Sequence, residues 1–76
     1  MRLRLGAHLS WYAPQRQSTL ELVLARPTAL RDVALRLNLP LGEIAIAVVN
    51  GQHVNLHDAQ VTDTDLVALY PPIGAG

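Results

Sequence analysis

Histidine side chains are the first residues of this chain to consider for chemistry, because they can bind metals. His53 and His57 are four residues apart, a spacing that places two ligands on one face of a helix. The residues around them, beginning with Asn50-Gly51, predict a strand and a loop instead. We therefore interpret both histidines as exposed polar side chains and expect no metal site.

Carboxylates and serines also lack the neighbours that their chemistry needs. Asp63-Thr64-Asp65 begins like a calcium-binding loop, but the turn glycine and the late glutamate of such a loop are absent, which favours a turn with a capping role. No nucleophile-elbow glycines flank Ser10 or Ser18. The later glycines do not have the spacing of a phosphate-binding loop; they are Gly42, Gly51, Gly74 and Gly76. We expect no enzyme activity from the chain alone.

Composition excludes several further functions. The 76 residues are 50% hydrophobic, and six positive charges, all arginine, balance six acidic residues. With a net charge of zero, the chain lacks the excess of basic residues that is typical of a nucleic-acid-binding protein. Without cysteine or lysine, thiol, zinc-thiolate and Schiff-base chemistry are excluded. No apolar stretch approaches the roughly 20 residues of a membrane span, so we expect a cytoplasmic protein with neither nucleic acid nor membrane as a partner.

The elements that must position any site begin with a predicted hairpin. Residues 2–9 alternate between apolar and polar side chains and predict a strand in which Leu3, Leu5, Ala7 and Leu9 share a buried face. Residues 19–24 alternate in the same way and predict the antiparallel partner. Thr28 is then a candidate N-cap for a helix whose apolar stripe is Leu30, Val33, Ala34 and Leu37.

The second half of the chain predicts strands. Residues 44–49 form an aliphatic run typical of an interior strand. Asn50-Gly51 favours a type I′ turn, after which residues 52–55 return antiparallel. Residues 57–65 are predicted as a loop or turn. Residues 66–70 predict a last strand, which Pro71-Pro72 ends.

This order of elements predicts an α+β fold of the β-grasp (ubiquitin-like) type, with one helix packed across one face of a mixed four- or five-stranded sheet. The first and last strands would pair in parallel at its centre. Residues 1–70 would form the domain and residues 71–76 a flexible C-terminal tail.

The end of the chain carries more apolar surface than a solvated terminus needs. Tyr70, Pro71, Pro72 and Ile73 supply it, and a terminal Gly76 carboxylate could enter a narrow channel in a partner.

Along essentially its whole length, the chain resembles the MoaD/ThiS family of ubiquitin-like sulfur carriers. The most specific match is Tyr70-Pro71-Pro72-Ile73. More moderate matches are Leu9-Ser10-Trp11-Tyr12-Ala13, Pro27-Thr28-Ala29-Leu30-Arg31-Asp32 and Val48-Val49-Asn50-Gly51.

The resemblance implies a carrier that binds no cofactor itself. A MoeB/ThiF-type adenylyltransferase would use ATP with magnesium to adenylate the Gly76 carboxylate, which would then become a thiocarboxylate. The paired prolines are most similar to the molybdopterin-synthase branch of the family. In that branch the tail would enter a MoaE-type large subunit and donate sulfur to a pterin precursor of the molybdenum or tungsten cofactor.

Partner contacts implied by the resemblance involve the tail and an apolar surface beside it. The tail contributes Pro71, Pro72, Ile73, Gly74 and Ala75. The outward surface would comprise Leu66, Ala68 and Tyr70 with Trp11 or Tyr12. Trp11 and Tyr12 could equally cover the core at a sheet edge.

Ala75 departs from the usual Gly-Gly end of the family, because its Cβ disfavours a positive φ. Two alternatives therefore stay open beside the molybdopterin carrier. One is a non-conjugating β-grasp interaction module, and the other is a carrier for thiamine-thiazole synthesis.

Overall fold

A computed structural model describes residues 1–72 of the chain; residues 73–76 lie outside the described part. Seven strands and one α-helix occur in this range. They are β1 (Arg2–Leu5), β2 (Thr19–Glu21), β3 (Thr28–Ala29), α1 (Leu30–Arg36), β4 (Ile46–Val49), β5 (Gln52–Val54), β6 (Gln60–Val61) and β7 (Leu66–Tyr70). Short 3-10 helices occupy Ala7–Tyr12, Pro14–Arg16 and Leu41–Glu43.

The main sheet has five strands in the order β2-β1-β7-β4-β5. β1 and β7 are parallel, with Arg2 opposite Leu66 and Leu5 opposite Leu69, and the other neighbouring strands are antiparallel. β7 therefore lies at the centre of the sheet. This arrangement, with a helix joining the two halves of the sheet, confirms the predicted β-grasp fold in its five-stranded form.

The core lies between α1 and one face of the sheet. Leu30, Val33 and Ala34 of the helix are buried, as its predicted apolar stripe requires. On the sheet, alternate residues are buried because successive side chains of a strand point to opposite faces. The fully buried large side chains include Leu3 of β1 and Leu69 of β7. The opposite face of the sheet, which we call the outer face, is not covered by the helix.

The first strand is shorter than the alternation predicted. It ends at Leu5, and the chain turns into a 3-10 helix because Ala7 adopts a φ of 47°, which extended backbone does not allow. Ala7 is consequently exposed rather than buried. Leu9 is still fully buried, but from the 3-10 helix.

The predicted N-cap at Thr28 is wrong. The Thr28 hydroxyl donates to the Arg26 carbonyl at 3.0 Å, and Ala29 holds the cap position without a side-chain hydrogen bond. The reason is a two-stranded sheet: Thr28 pairs with Val61 and Ala29 with Gln60. The loop predicted for residues 57–65 thus contains β6.

The Asn50-Gly51 turn is confirmed. Asn50 and Gly51 have φ values of 51° and 83°, as a type I′ turn requires, and β5 returns antiparallel to β4. β4 begins at Ile46 rather than at residue 44, because Ile44 is the C-cap of the preceding 3-10 helix, Leu41–Glu43.

Candidate functional site

The outer face of β7 carries the side chains that the sequence predicted as a docking surface. Leu66 is 58% exposed and Tyr70 is 38% exposed, with the half-buried Ala68 between them. Val67 and Leu69 point the other way, into the core. The alternation therefore brings Leu66, Ala68 and Tyr70 together on one face.

Two residues of β4 extend this surface. Ile46 lies opposite Tyr70 and Val48 opposite Ala68, and both are half-buried. Residues directly opposite in neighbouring strands share a face, so their side chains are adjacent to those of β7. We call the group Ile46, Val48, Leu66, Ala68 and Tyr70 the apolar band.

Positive charge borders the apolar band on the β1 side. Arg2 lies opposite Leu66 and Arg4 opposite Ala68, and both side chains are exposed. Arg2 donates from Nε to Oε1 of Glu21 at 2.6 Å. Arg4 takes part in none of the ion pairs within residues 1–72. Its guanidinium can therefore pair with a partner's carboxylate at the rim of an apolar contact.

Two grooves run along this face. One, of about 610 Å³, is lined by Ile46, Val48, His53 and Tyr70 of the sheet and by Ala7, Pro71 and Pro72. The other, of about 290 Å³, includes Arg2, Arg4 and Leu66. The larger groove lies where the chain leaves β7. An apolar groove with charged residues nearby is suited to binding a protein surface.

The exit from β7 is held on both sides. The Gly6 N–H donates to the Leu69 carbonyl, and the Ala45 N–H donates to the Tyr70 carbonyl, each at 2.9 Å. Pro71 has no N–H and ends the pairing. Pro71 is buried and Pro72 is exposed. The direction of the chain is therefore defined as far as the last described residues.

Gly6 is a functional candidate that the sequence analysis did not single out. A Cβ at this position would overlap the Tyr70 ring, so the absence of a side chain allows the ring to lie against the backbone. The available signal was a glycine inside the alternating segment 2–9, which is typical of a bulge or a close backbone approach.

Trp11 and Tyr12 lie in the 3-10 helix after β1. Trp11 is 69% exposed and Tyr12 is 41% exposed, so neither is enclosed in the core. The Trp11 ring is tilted against His8 with 6.1 Å between ring centroids. Neither aromatic residue lines the larger groove as described, although Ala7 of the same helix does. The predicted tail residues Ile73, Gly74, Ala75 and Gly76 lie outside the described residues.

The two aspartates before β7 lie at a turn, as predicted, but Asp63 bonds to distant parts of the chain rather than within the turn. Asp63 accepts from the Leu24 N–H at 2.9 Å and from the Met1 amino group at 3.4 Å. The backbone hydrogen bond, and then the amino group, lower the pKa of Asp63 below its ordinary value.

Asp65 links this turn to the β4–β5 hairpin. It accepts from Nδ2 of Asn50 at 2.9 Å and from the Thr62 N–H at 2.8 Å. Both bonds lower the pKa of Asp65, and the bond from Asn50 has the larger effect. Oδ1 of Asn50 in turn accepts from the Leu66 N–H at 2.9 Å. Both carboxylates thus have structural partners.

Within residues 1–72, no three His, Cys, Asp or Glu side chains come close enough together to hold a metal ion. His53 lies on β5 and His57 in the following turn, as predicted.

Across residues 1–72, no helix combines the length and apolar character that crossing a bilayer requires.

No family model matches the chain, and no curated protein matches it.

Proposed function

We propose that this chain is a sulfur-carrier protein of the MoaD/ThiS type that acts through a thiocarboxylate on Gly76. The observation that carries the proposal is the end of β7. This central strand is hydrogen-bonded to Gly6 at Leu69 on one side and to Ala45 at Tyr70 on the other, and the chain passes directly into Pro71-Pro72 beside an apolar groove. A rigid exit next to a docking surface suits a chain whose reactive group must reach into a partner.

The proposed chemistry occurs on the carboxylate and in partner enzymes. A carboxylate oxygen of Gly76 attacks the α-phosphorus of ATP, forming an acyl adenylate and releasing pyrophosphate. Hydrosulfide then attacks the carbonyl carbon, AMP leaves with the bridging oxygen, and a thiocarboxylate and a proton remain. ATP and magnesium belong to the MoeB/ThiF-type adenylyltransferase, so this chain needs no cofactor of its own and is not itself an enzyme.

The apolar band is the proposed contact for these partners. Its exposed members, Leu66 and Tyr70, give apolar area, and Arg4 offers a charge for pairing at the rim. In the molybdopterin pathway, a MoaE-type large subunit would bind the same end of the sheet. The pterin precursor would then receive the sulfur in the large subunit's active site, in the cytoplasm.

The test is the intact mass of the protein before and after incubation with ATP, magnesium, sulfide and a MoeB/ThiF-type enzyme. We expect a gain equal to sulfur minus oxygen, located on the C-terminal peptide. A variant with one alanine added after Gly76 should gain nothing, because the reactive carboxylate is displaced. An unchanged mass, while a Gly-Gly carrier is loaded in parallel, would overturn the proposal.

Loaded protein also distinguishes the two carrier pathways. Mixed with a MoaE-type subunit and the pterin precursor, it should return to its original mass as sulfur leaves. Loss of sulfur only to a thiazole synthase would assign the thiamine pathway instead.

A second candidate is a non-conjugating interaction module, and the apolar band favours it because docking there does not require residue 76. Deleting Gly76 separates the two functions. Deletion should abolish sulfur loading in a carrier, whereas a docking module would keep its affinity for its partner.

A further inference from the structure

The outer strand β2 has a neighbouring strand on one side only within residues 1–72, so its other side offers backbone groups to a further strand. Leu22 and Met1 exchange hydrogen bonds, with the Leu22 N–H 2.8 Å from the Met1 carbonyl, and the Leu5 N–H donates to the Ser18 carbonyl at 2.8 Å. Backbone groups of alternate residues point to opposite sides of a strand. Those of Thr19, Glu21 and Val23 therefore point away from β1, to the open edge.

A small apolar groove accompanies this edge. It has a volume of about 100 Å³ and lies between residues 22–24 and helix α1; Val33 and Arg36 of the helix line it, together with Leu37 directly after the helix. Val23 is 91% exposed, more than any other large hydrophobic residue in the described part of the chain. An exposed β-branched residue beside an apolar groove and an open edge is suited to packing against an added strand.

The charge at this groove indicates which kind of added strand would bind there. Arg36 is the charged residue that lines the groove; it is exposed and belongs to none of the ion pairs within residues 1–72. Glu21, the carboxylate of β2, is already paired with Arg2. The β2 strand of a second copy would therefore bring no unpaired carboxylate to Arg36.

We propose that the open edge of β2 and this groove bind an extended acidic peptide segment of a partner protein. The segment would add as a strand, exchanging backbone hydrogen bonds with Thr19, Glu21 and Val23. It would place an apolar side chain in the groove and a carboxylate on Arg36. None of the residues of this site belongs to the apolar band or to the C-terminal tail, so the proposal does not depend on the proposed sulfur chemistry.

The test is an NMR titration of the full ¹⁵N-labelled chain. The probe is a synthetic peptide of alternating valine and threonine with an aspartate at each end. We expect amide shifts confined to residues 18–24 and 33–37, and slower hydrogen exchange at Glu21 and Val23. A peptide with lysine in place of aspartate should bind more weakly, and one with an N-methylated central valine should lose a backbone bond and bind more weakly.

Surface variants measure how much the charge of Arg36 contributes to peptide binding. Arg36→Glu should weaken binding of the aspartate peptide roughly threefold to tenfold, because an attraction becomes a repulsion at an exposed pair. Arg31→Glu is the matched control: it lies on the exposed side of the same helix but does not line the groove, so binding should change less. Both variants should keep the amide spectrum of a folded chain.

Three results would overturn the proposal. Equal affinity for the aspartate and lysine peptides would show that Arg36 does not select an acidic peptide. Shifts centred on β5 or on the apolar band would assign the peptide to another surface. Shifts of residues 18–24 on raising the protein concentration alone, without peptide, would make a second copy of this chain the occupant.

Discussion

The backbone of Gly6 lies against the aromatic ring of Tyr70. A Cβ added to Gly6 would overlap Cδ1 of the ring and lie 2.9 Å from Cε1. The Gly6 N–H also donates to the carbonyl of Leu69, the residue before Tyr70. The turn that follows the first strand therefore helps to set the position of the ring at the end of the last strand, where the larger groove begins.

Gly6→Ala should destabilise the fold by about 1–3 kcal/mol, because the added methyl group must displace the Tyr70 ring. Denaturant unfolding measures the loss, and shifts of the Tyr70 ring protons report the movement. Gly42→Ala is the matched control, since a Cβ there meets no atom within 4 Å. Equal stability of both variants would contradict the close contact.

Asn50→Ala should lower the free energy of unfolding by about 1 kcal/mol more than Asn38→Ala does. Both asparagines have a positive φ, of 51° and 60°, so both replacements carry the same type of backbone strain. Only the Asn50 side chain bonds to Asp65 and to the Leu66 N–H. Chemical denaturation of the two variants measures the difference, and no difference would mean that these bonds contribute little.

Acid should destabilise the fold through Asp63 and Asp65. Their pKa values are lowered on folding, so their contribution to stability is complete above the ordinary carboxyl pKa of 3.8 and is lost as pH falls through the lower folded values. Denaturation midpoints measured between about pH 5 and about pH 2 should show this loss.

Asp63→Asn should reduce that acid-dependent loss, because asparagine keeps an acceptor for the Leu24 N–H but carries no charge. Asp58→Asn is the control: Asp58 is exposed, and its carboxylate accepts no hydrogen bond within residues 1–72. An identical pH dependence in all three proteins would show that Asp63 has no part in it.

Leu66→Glu should slow adenylation of Gly76 roughly tenfold, if the proposed carrier docks through the apolar band, because a charge would replace an apolar contact. Leu35→Glu provides the comparison, since Leu35 is exposed to a similar extent, 53% against 58%, but lies on the helix. The measured quantity is the initial rate of pyrophosphate release. Similar slowing in both variants would place docking elsewhere.

Ala75→Gly should accelerate sulfur loading about tenfold, because a positive φ costs alanine roughly 1–2 kcal/mol. The rate of mass gain measures this effect. Ala25→Gly, at an exposed residue outside the tail, should leave the rate unchanged. An unchanged rate for Ala75→Gly would mean that the partner binds residue 75 with a negative φ.

Local patterns were enough to predict much of the fold. The helix stripe at Leu30, Val33 and Ala34 has a clear period, and Asn50-Gly51 has the chemistry of one turn type, so both were predicted correctly. β3 and β6 were missed because strands of two residues are too short to have a period. The end of β1 was also missed, because the positive φ at Ala7 leaves no mark in the alternation.

Part of the candidate site was expected from the resemblance rather than from a local pattern. The resemblance implied an outward surface of Leu66, Ala68 and Tyr70, and these three residues lie on one face of β7. Ile46 and Arg4 were missed because their places beside β7 depend on strand register, which joins distant parts of the chain. The contact of Gly6 with Tyr70 depends on the same long-range pairing.

The parallel pairing of β1 with β7 also affects how the chain folds during synthesis. Arg2 and Leu66, which are partners in the sheet, are 64 positions apart in the sequence. Leu3 and Leu5 therefore cannot gain their central neighbour until the last strand has left the ribosome, and loop closure over that distance slows folding. A nascent chain that lacks β7 would expose two strand edges and an apolar face, and would be a target for chaperones and proteases.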